Sequence, residues 1–496
     1  MRPLTASFLL CMVVALFATT PLSGASHPWP VSMDESGDEW PDIPLLSIET
    51  VDGETPTCVV VKAPEGCIGT SITDNDYVPG RMVMTLGGDT LYDSGEYVKG
   101  ESGMRIKRRG NSTGAAENHQ YPYKLKLSKK ADLLMRDGKD FRHKEWVLLS
   151  IYVWNPNFTY SQSNLLNATG LIVSKVVGKE WTQQWQFVNV LLNGMYQGVY
   201  TLVEPVSKGK QRVDVDSTGF VIEHDTFWWN EGDYYFKTRR QPYQYGYTYK
   251  YPDEEDVTDS IQGAIQSYMN DFEDALYDGD VTEYIDMNSF AKWILAHDIL
   301  CSNDMAGCNR FLYKRDLIPG DSLSTRLCMG PLWDFDSSFR GKINEWSNLH
   351  TMADFYFPEL FKQEDFVKAY VSQWMKIRPT LLDEIQRGMD EVNERYATSF
   401  DESMKMHVRL GYKYVVHKPL KSQIIEVMGK FYNRLKAMDK LMQEFSYYQD
   451  GIRDVTNGST VKVLYDLNGC RLNGDGRRSS IVIVRNADGS TRKVVW

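Results

Sequence analysis

An α+β fold in two lobes, strand-rich first and helical second, with a small β module at the C-terminal end, is what this sequence predicts. Three observations carry the prediction. Up to about residue 205 the apolar residues alternate with polar ones or gather in short runs split by Gly, Pro, Asn and Asp, the pattern of strands and tight turns. From about residue 260 to 445 they recur every third or fourth position over long stretches, the pattern of amphipathic helices. The last forty residues return to short strand-like runs.

At 496 residues the chain has room for more than one domain, and its 24% charged and 42% hydrophobic content are those of a globular protein. A net charge of -11, with no basic run to offset it, argues against nucleic-acid binding. Residues 1–25 read as a cleaved secretory signal peptide. Arg2 supplies the positive start, Phe8 to Phe17 the apolar core, and Ser23-Gly24-Ala25 the cleavage site. No later run reaches the about 18 apolar residues of a membrane span, so the chain is expected to be secreted or at the cell surface, with no transmembrane segment. Export permits disulfides. Cys58 and Cys67 flank a strand and turn that a bond would staple, and the lack of any C-x-x-C pair argues against structural zinc.

Residues 26–100 read as a polar leader and, from Ile43, a small β unit. Residues 101–205 form the strand-rich small lobe. It opens with M-R-I-K-R-R-G-N-S-T-G from Met104 to Gly114 and continues through Tyr123-Lys124-Leu125-Lys126-Leu127, where one face is apolar and the other carries both lysines. The loop between offers backbone N–H groups and hydroxyls that suit phosphate oxygens, and a lysine on the next strand would neutralise phosphate charge. Arg109, Gly110, Asn111, Ser112 and either Lys124 or Lys126 are therefore candidate phosphate contacts; the plain alternative is a solvent-facing hairpin with a polar turn. A buried strand at 145–149 and a helix over 164–177 follow. Two more strands meet near Asn193-Gly194, a hairpin signal, with the second running from about Gly198 to Glu204-Pro205, where proline stops the ladder. Glu204, at that end, joins the candidate nucleotide contacts.

Residues 206–450 form the large lobe. Its aromatic opening reads either as a substrate surface or as a β insertion whose rings pack on one another. Helical patterns follow over 261–277, 287–300, 365–392 and 420–445, with His297 and Asp298 on an inner helix face. The stretch from Ala296 to Phe339 is the centre of the chain. It places Asp304 and Asn309 in the spacing D-x-x-x-x-N, and Asp334 and Asp336 either side of Phe335, with two short hairpin strands at 311–313 and 327–329 between. Phosphoryl transfer from a nucleotide needs one carboxylate to accept the proton of the attacking hydroxyl, and an amide and a second carboxylate to hold magnesium. Protein kinases use D-x-x-x-x-N and D-F-G for these tasks. The alternative is a capped turn and an Asx-rich loop. Residues 455–496 form the terminal β module.

Six segments, R-G-N-S-T, Y-K-L-K-L-S-K-K, W-V-L-L, L-N-G-M-Y-Q-G-V-Y-T-L-V-E, S-N-D-M-A-G-C-N and P-L-W-D-F-D-S-S-F, occur in this order over roughly residues 100 to 340. They resemble the CotH (spore coat protein H) family of atypical secreted protein kinases. The resemblance implies a kinase-like bilobal fold and transfer of the γ-phosphoryl of ATP, with Mg (or Mn), to protein Ser or Thr. It implies Asp304 as the catalytic base, Asn309 and Asp334 (with Asp336 the second choice) as metal ligands, and Lys124 or Lys126 on the phosphates. Its protein substrates would belong to the cell envelope or extracellular space. Gly114 stands where the family usually has Trp, and an arginine common near the start of the following helix is replaced within residues 161–164. The terminal module, through Y-D-L-N-G and D-G-S-T-R-K-V-V, is similar to type IX secretion sorting domains.

Two rival activities stay open: a catalytically silent surface adhesin on the same fold, and transfer of AMP in place of phosphate. Cys301, Cys308 and Cys328 all fall in the central stretch. Either Cys328 bonds to one of the other two, closing about twenty residues and adding about 3 kcal/mol, or all three are thiols.

Overall fold

The structure, a computed structural model, describes residues 42–115, 120–151, 165–302, 305, 308–339, 349, 355–409 and 418–445, with four strands beyond residue 460. The first half holds β1 (Leu45–Thr50), β2 (Val59–Lys62), β3 (Thr70–Thr73), β4 (Val78–Leu86), β5 (Asp89–Asp93), β6 (Met104–Arg108), α1 (Ser112–Ala115), β7 (Tyr123–Ala131), β8 (His143–Ser150), α2 (Leu166–Val176), β9 (Trp185–Leu192) and β10 (Met195–Val203). There follow β11 (Phe220–Asp225), β12 (Tyr235–Phe236), β13 (Gly246–Tyr251), α3 (Asp259–Asp278), α4 (Met287–Leu300), β14 (Arg310–Lys314), β15 (Leu327–Met329), α5 (Phe357–Leu360), α6 (Glu364–Arg409) and α7 (Leu420–Met442). The mixed α+β class stands, strand-rich first and helical later.

The first half is a closed barrel. Seven strands run in the order β1-β9-β10-β8-β7-β6-β4, β4 returns to pair with β1, and β5 is appended to β4. All neighbours are antiparallel except β1 and β9, which run parallel with Leu45 opposite Asn189. Alternation decides the faces. Leu46, Ile48, Met84, Ile106, Leu125, Trp146, Val190 and Leu202 fill the interior, while Lys124 and Lys126 point outward. Strands β1, β4 and β5 of the N-terminal β unit therefore share one sheet with those of residues 101–205, while β2 and β3 pair with each other in a separate two-stranded sheet. At the β9–β10 turn Asn193 and Gly194 both have positive φ, 50° and 74°, the requirement of a two-residue hairpin loop. Met195 pairs with Leu192, so β10 begins before Gly198 and the loop is tighter than the apolar runs suggest. The Asn193 side chain accepts the Thr50 N–H at 2.9 Å, tying the turn to the end of β1.

A second sheet, in the order β12-β13-β11-β14-β15, follows the barrel. It contains the expected hairpin, with Tyr313 opposite Cys328. The aromatic-rich segment packs on itself, with Trp228 4.7 Å from Tyr235 and Phe236 5.1 Å from Tyr247 between ring centres. Around this sheet lie the helices. α4 is buried along nearly its whole length; the Asp286 side chain caps it through the Ser289 N–H at 2.9 Å, and Cys301 closes it in a left-handed conformation. His297 and Asp298 lie inside, and Asp298 accepts the Tyr370 hydroxyl at 2.7 Å. α6 runs well past Val392 to Arg409 because Tyr396, Phe400 and Met404 extend its buried stripe. That extension rests on the barrel: Tyr396 meets Phe187 at 5.1 Å, and Ser403 bonds to Asn189 at 3.0 Å.

Among the described residues no helix is long and apolar enough to cross a membrane. The segment expected to be a signal peptide lies outside the described residues. Of the terminal module the described part is four strands, β16 (Val463–Tyr465), β17 (Arg471–Leu472), β18 (Ile481–Arg485) and β19 (Thr491–Val495), in one antiparallel sheet. Cys58, Cys67 and Cys328 are free thiols, so neither staple considered from the sequence is present. Cys328 also lines a different cleft from Cys308.

Candidate active site

The outer face of the barrel and the second sheet enclose a cleft of about 640 Å³, within the range of small-molecule sites. β6 and β7 build one wall. Lys107 and Lys124 are directly opposed across these strands, and Arg109 follows Lys107 by two positions, so three cations reach the cleft. Lys124 and Lys126 form ion pairs with the same Glu145 carboxylate, at 3.1 Å and 3.6 Å. Of the two sequence candidates Lys124 lines the cleft and Lys126 does not. Burial and the neighbouring Lys124 lower the pKa of Lys107. Burial works against ionising Glu145, yet Lys124, Lys126 and Arg212 bring it below the ordinary carboxylate value.

The glycine-rich loop sits at the mouth of this wall. Gly110 has φ +94°, and a Cβ there would stand 2.4 Å from the Thr113 hydroxyl, so only glycine fits. The Asn111 side chain accepts a bond from the Ser71 hydroxyl at 2.8 Å. Asn230 donates to that hydroxyl at 3.1 Å and to the Ile72 carbonyl at 2.9 Å. The loop is thereby fastened to β3 and to the second sheet. At Gly114 a Cβ would lie 2.6 Å from the Arg109 carbonyl oxygen. Here the loop closes by hydrogen bonding, with Arg108 donating to the Gly114 carbonyl at 2.8 Å. Ser112 opens α1, and its side chain lies outside the described residues.

The facing wall is acidic. Asn309 and Asp334 both have left-handed backbones, with φ 63° and 60°, a region that Asn and Asp tolerate better than other side-chain-bearing residues. That conformation brings the Asn309 amide within 3.5 Å of the Asp334 carboxylate. Asp336 lines the same cleft. Phe335, between the two acids, is buried against α2. Its N–H is held by the Asn167 side chain at 2.9 Å, and its ring lies so close to Gly170 that a Cβ there would be 1.9 Å from Phe335 Cγ. The helix after W-V-L-L thus serves as the shelf for the D-F-D segment. Arg109 reaches across, 5.7 Å from the Trp333 ring centre. Burial lowers its pKa, and Asp334 and Glu223 pull it back up.

Two predicted residues stand apart. Glu204 is fully buried, accepting Arg136 at 2.6 Å and the Gln184 N–H at 3.0 Å. It does not line the cleft; its neighbours Pro205 and Val206 do. Asp304 lies outside the described residues.

The cleft also contains residues that the sequence reading passed over: Lys107, Glu223, Asp225, Glu231, Lys250 and Trp333. Glu223 accepts the Asn309 N–H at 2.9 Å and pairs with Lys250 at 2.8 Å. Burial first, and Glu223 second, push the Asp225 carboxyl up to about 8, against Lys250 and the Phe227 N–H. Burial opposes the Lys250 charge, but Glu223, Glu231 and Asp225 outweigh it and raise its pKa. The available signal is two acids, Glu223 and Asp225, flanking His224 at the end of a strand F-V-I-E-H-D that opens apolar, where charge needs a reason.

Among the described residues no three His, Cys, Asp or Glu gather as a metal cluster. An amide oxygen and a carboxylate at one end of a cationic cleft are hard donors of the kind magnesium shares with phosphate oxygens and water, so Asn309 and Asp334 fit that ion. A family model described as CotH kinase protein matches residues 106–438. No curated protein matches the chain.

Proposed function

The chain belongs to the CotH kinase family, matched over about two thirds of its length, and from that premise we propose that it transfers the γ-phosphoryl group of ATP to serine or threonine of proteins outside the cytoplasm. The observation that carries this reading is the polarised cleft: Asn309 and Asp334 in contact on one wall, with Arg109, Lys124 and the Gly110 loop on the other. A triphosphate lies between such walls with its charge met from both sides.

Asp304, five residues before Asn309, takes the role of base on the strength of that spacing. It accepts the proton of the acceptor hydroxyl as the new O–P bond forms, the bond to the bridging oxygen breaks and ADP departs. The chemistry a bound magnesium would supply there is neutralisation of phosphate and leaving-group charge. Asn309 and Asp334 are the residues that would hold it, with Asp336 alongside. Lys124 and the loop N–H groups orient phosphate oxygens, and Arg109 adds fixed positive charge near Asp334. The kinase-like bilobal reading assigns the barrel as the nucleotide-covering lobe and the second sheet with its helices as the catalytic lobe. The signal segment and the sorting-like module support export and surface attachment.

The test is incubation with labelled ATP and Mg or Mn, with mass spectrometry of the product to separate phosphate from AMP transfer. Asp304→Ala should lower turnover by about 10²–10⁴ with ATP binding retained. Asp334→Asn should weaken Mg-ATP binding itself. Wild-type protein that neither binds nor turns over ATP would favour the adhesin reading. Wild-type turnover by Asp304→Ala would remove it as the base.

A further inference from the structure

Lys250 stands on the acidic wall, among the carboxylates of Glu223, Glu231 and Asp225. Its ammonium bonds to one oxygen of Glu223 at 2.8 Å, and its side chain keeps 30% of its exposure toward the cleft. An ammonium carries three N–H donors, so a single anchoring bond leaves donors for a ligand. The other oxygen of Glu223 accepts the Asn309 N–H at 2.9 Å, and Asn309 is in turn 3.5 Å from Asp334. One carboxylate therefore fixes both the left-handed backbone of Asn309 and the position of Lys250. Lys124, one of the two lysines the sequence offers, is by contrast bonded to Glu145 on the barrel wall.

We propose that Lys250 contacts the nucleotide phosphates directly, and that Glu223 is the positioning residue that couples this lysine to Asn309. This rests on the reading of the cleft as a metal-nucleotide site. The physical need is plain: without a cation on its own side, a wall of carboxylates would repel the phosphates that the metal must meet. A lysine tethered by one oxygen supplies that charge with little freedom left to lose. The alternative is a lysine that merely neutralises buried acids, and the two differ in what a neutral pair would do.

The experiment measures equilibrium binding of Mg-ATP and of adenosine, with ligand-free thermal unfolding, for wild type, Lys250→Met, Glu223→Gln and Lys250→Met/Glu223→Gln. Loss of a charge-assisted phosphate contact should weaken Mg-ATP by about ten- to a hundred-fold and leave adenosine unchanged. Glu223→Gln keeps an acceptor for the Asn309 N–H and should show a smaller loss with a higher magnesium requirement. The double variant removes the buried charge imbalance, so its unfolding temperature should recover while Mg-ATP affinity stays low. Recovery of both in the double variant, or wild-type Mg-ATP affinity in Lys250→Met, would reduce Lys250 to a neutralising partner and overturn the proposal. Failure of the wild type to bind Mg-ATP would overturn instead the functional reading beneath it.

Discussion

Replacing Gly170 with alanine tests whether α2 positions the D-F-D segment. The new Cβ would stand 1.9 Å from Phe335 Cγ, 2.2 Å from Cδ2 and 2.5 Å from Cβ. Carbon atoms in contact rest at about 3.5–4.0 Å, so the ring and the helix must separate by roughly 1.5 Å. Rotating the ring cannot relieve this, because Phe335 Cβ is itself too close. The backbone is held as well, by the bond from Phe335 N–H to Asn167 on the same helix. The strain therefore passes to Asp334 and Asp336. Overpacking of this kind destabilises by about 1–3 kcal/mol, and a displacement of about 1 Å at a reacting centre lowers rate by about 10²-fold. Thermal unfolding and Mg-ATP titration of Gly170→Ala should both shift downward. Gly263→Ala is the control. Gly263 is exposed on α3 with nothing within 4 Å of an added Cβ, and this change should stabilise by about 0.5–1 kcal/mol. Wild-type melting and nucleotide binding in Gly170→Ala would refute the shelf.

Three further outcomes are expected. Asp225 holds its proton in the folded chain up to about 8 against a usual 3.8, so the folded state binds more protons than the unfolded one between those values. Its contribution to stability is thus complete at low pH and lost as pH rises through that window; urea unfolding across it should show a falling term that Asp225→Asn removes. Glu204→Ala removes the acceptor of the Gln184 N–H and of one arm of Arg136, and with it a carboxylate that is itself fully buried. It should cost about 1–3 kcal/mol of stability while the folded protein keeps its Mg-ATP affinity; a loss of affinity would return Glu204 to the site. Burial first and Asp286 second push the Cys328 thiol up to about 11, so non-reducing peptide maps should show Cys328 unlinked and slow to alkylate near neutral pH. A linked peptide would contradict the free thiol.

Local pattern made much of this legible. The alternation at 123–127 fixes which face of β7 is buried, Asn193-Gly194 fixes a turn, and α4 begins and ends at the expected Met287 and Leu300. The contact between Asn309 and Asp334 also follows from reading two polar knots about a hairpin. Long-range pairing left no such trace. Nothing in Leu45–Thr50 announces that its parallel partner is β9, and closure of the barrel follows from that pairing. Lys250 sits in a tyrosine-rich run where its charge reads as incidental until Glu223 is seen beside it. Glu204 differs for the opposite reason. Its position at the end of a strand suggested a ligand, whereas an arginine from the turn after β7 already occupies it.

The closed barrel also sets an order of events in time. β1 and β4 can pair once residue 86 is available, and β6, β7 and β8 can join in turn. The ring cannot shut until β9, far later in the chain, reaches β1. Non-local pairing of this kind is slow, because loop-closure entropy is lost before contacts form. Through that interval the partly built sheet is curled and open, with the free edge of β1 a template for unwanted strands and the apolar side chains of Leu46 and Ile48 short of their final cover. The seam between β1 and β9 closes only with the last hairpin of the barrel, whose second strand must also reach β8, and Asn193, bonded to Thr50 where β1 and β9 end, is the stitch that fastens it.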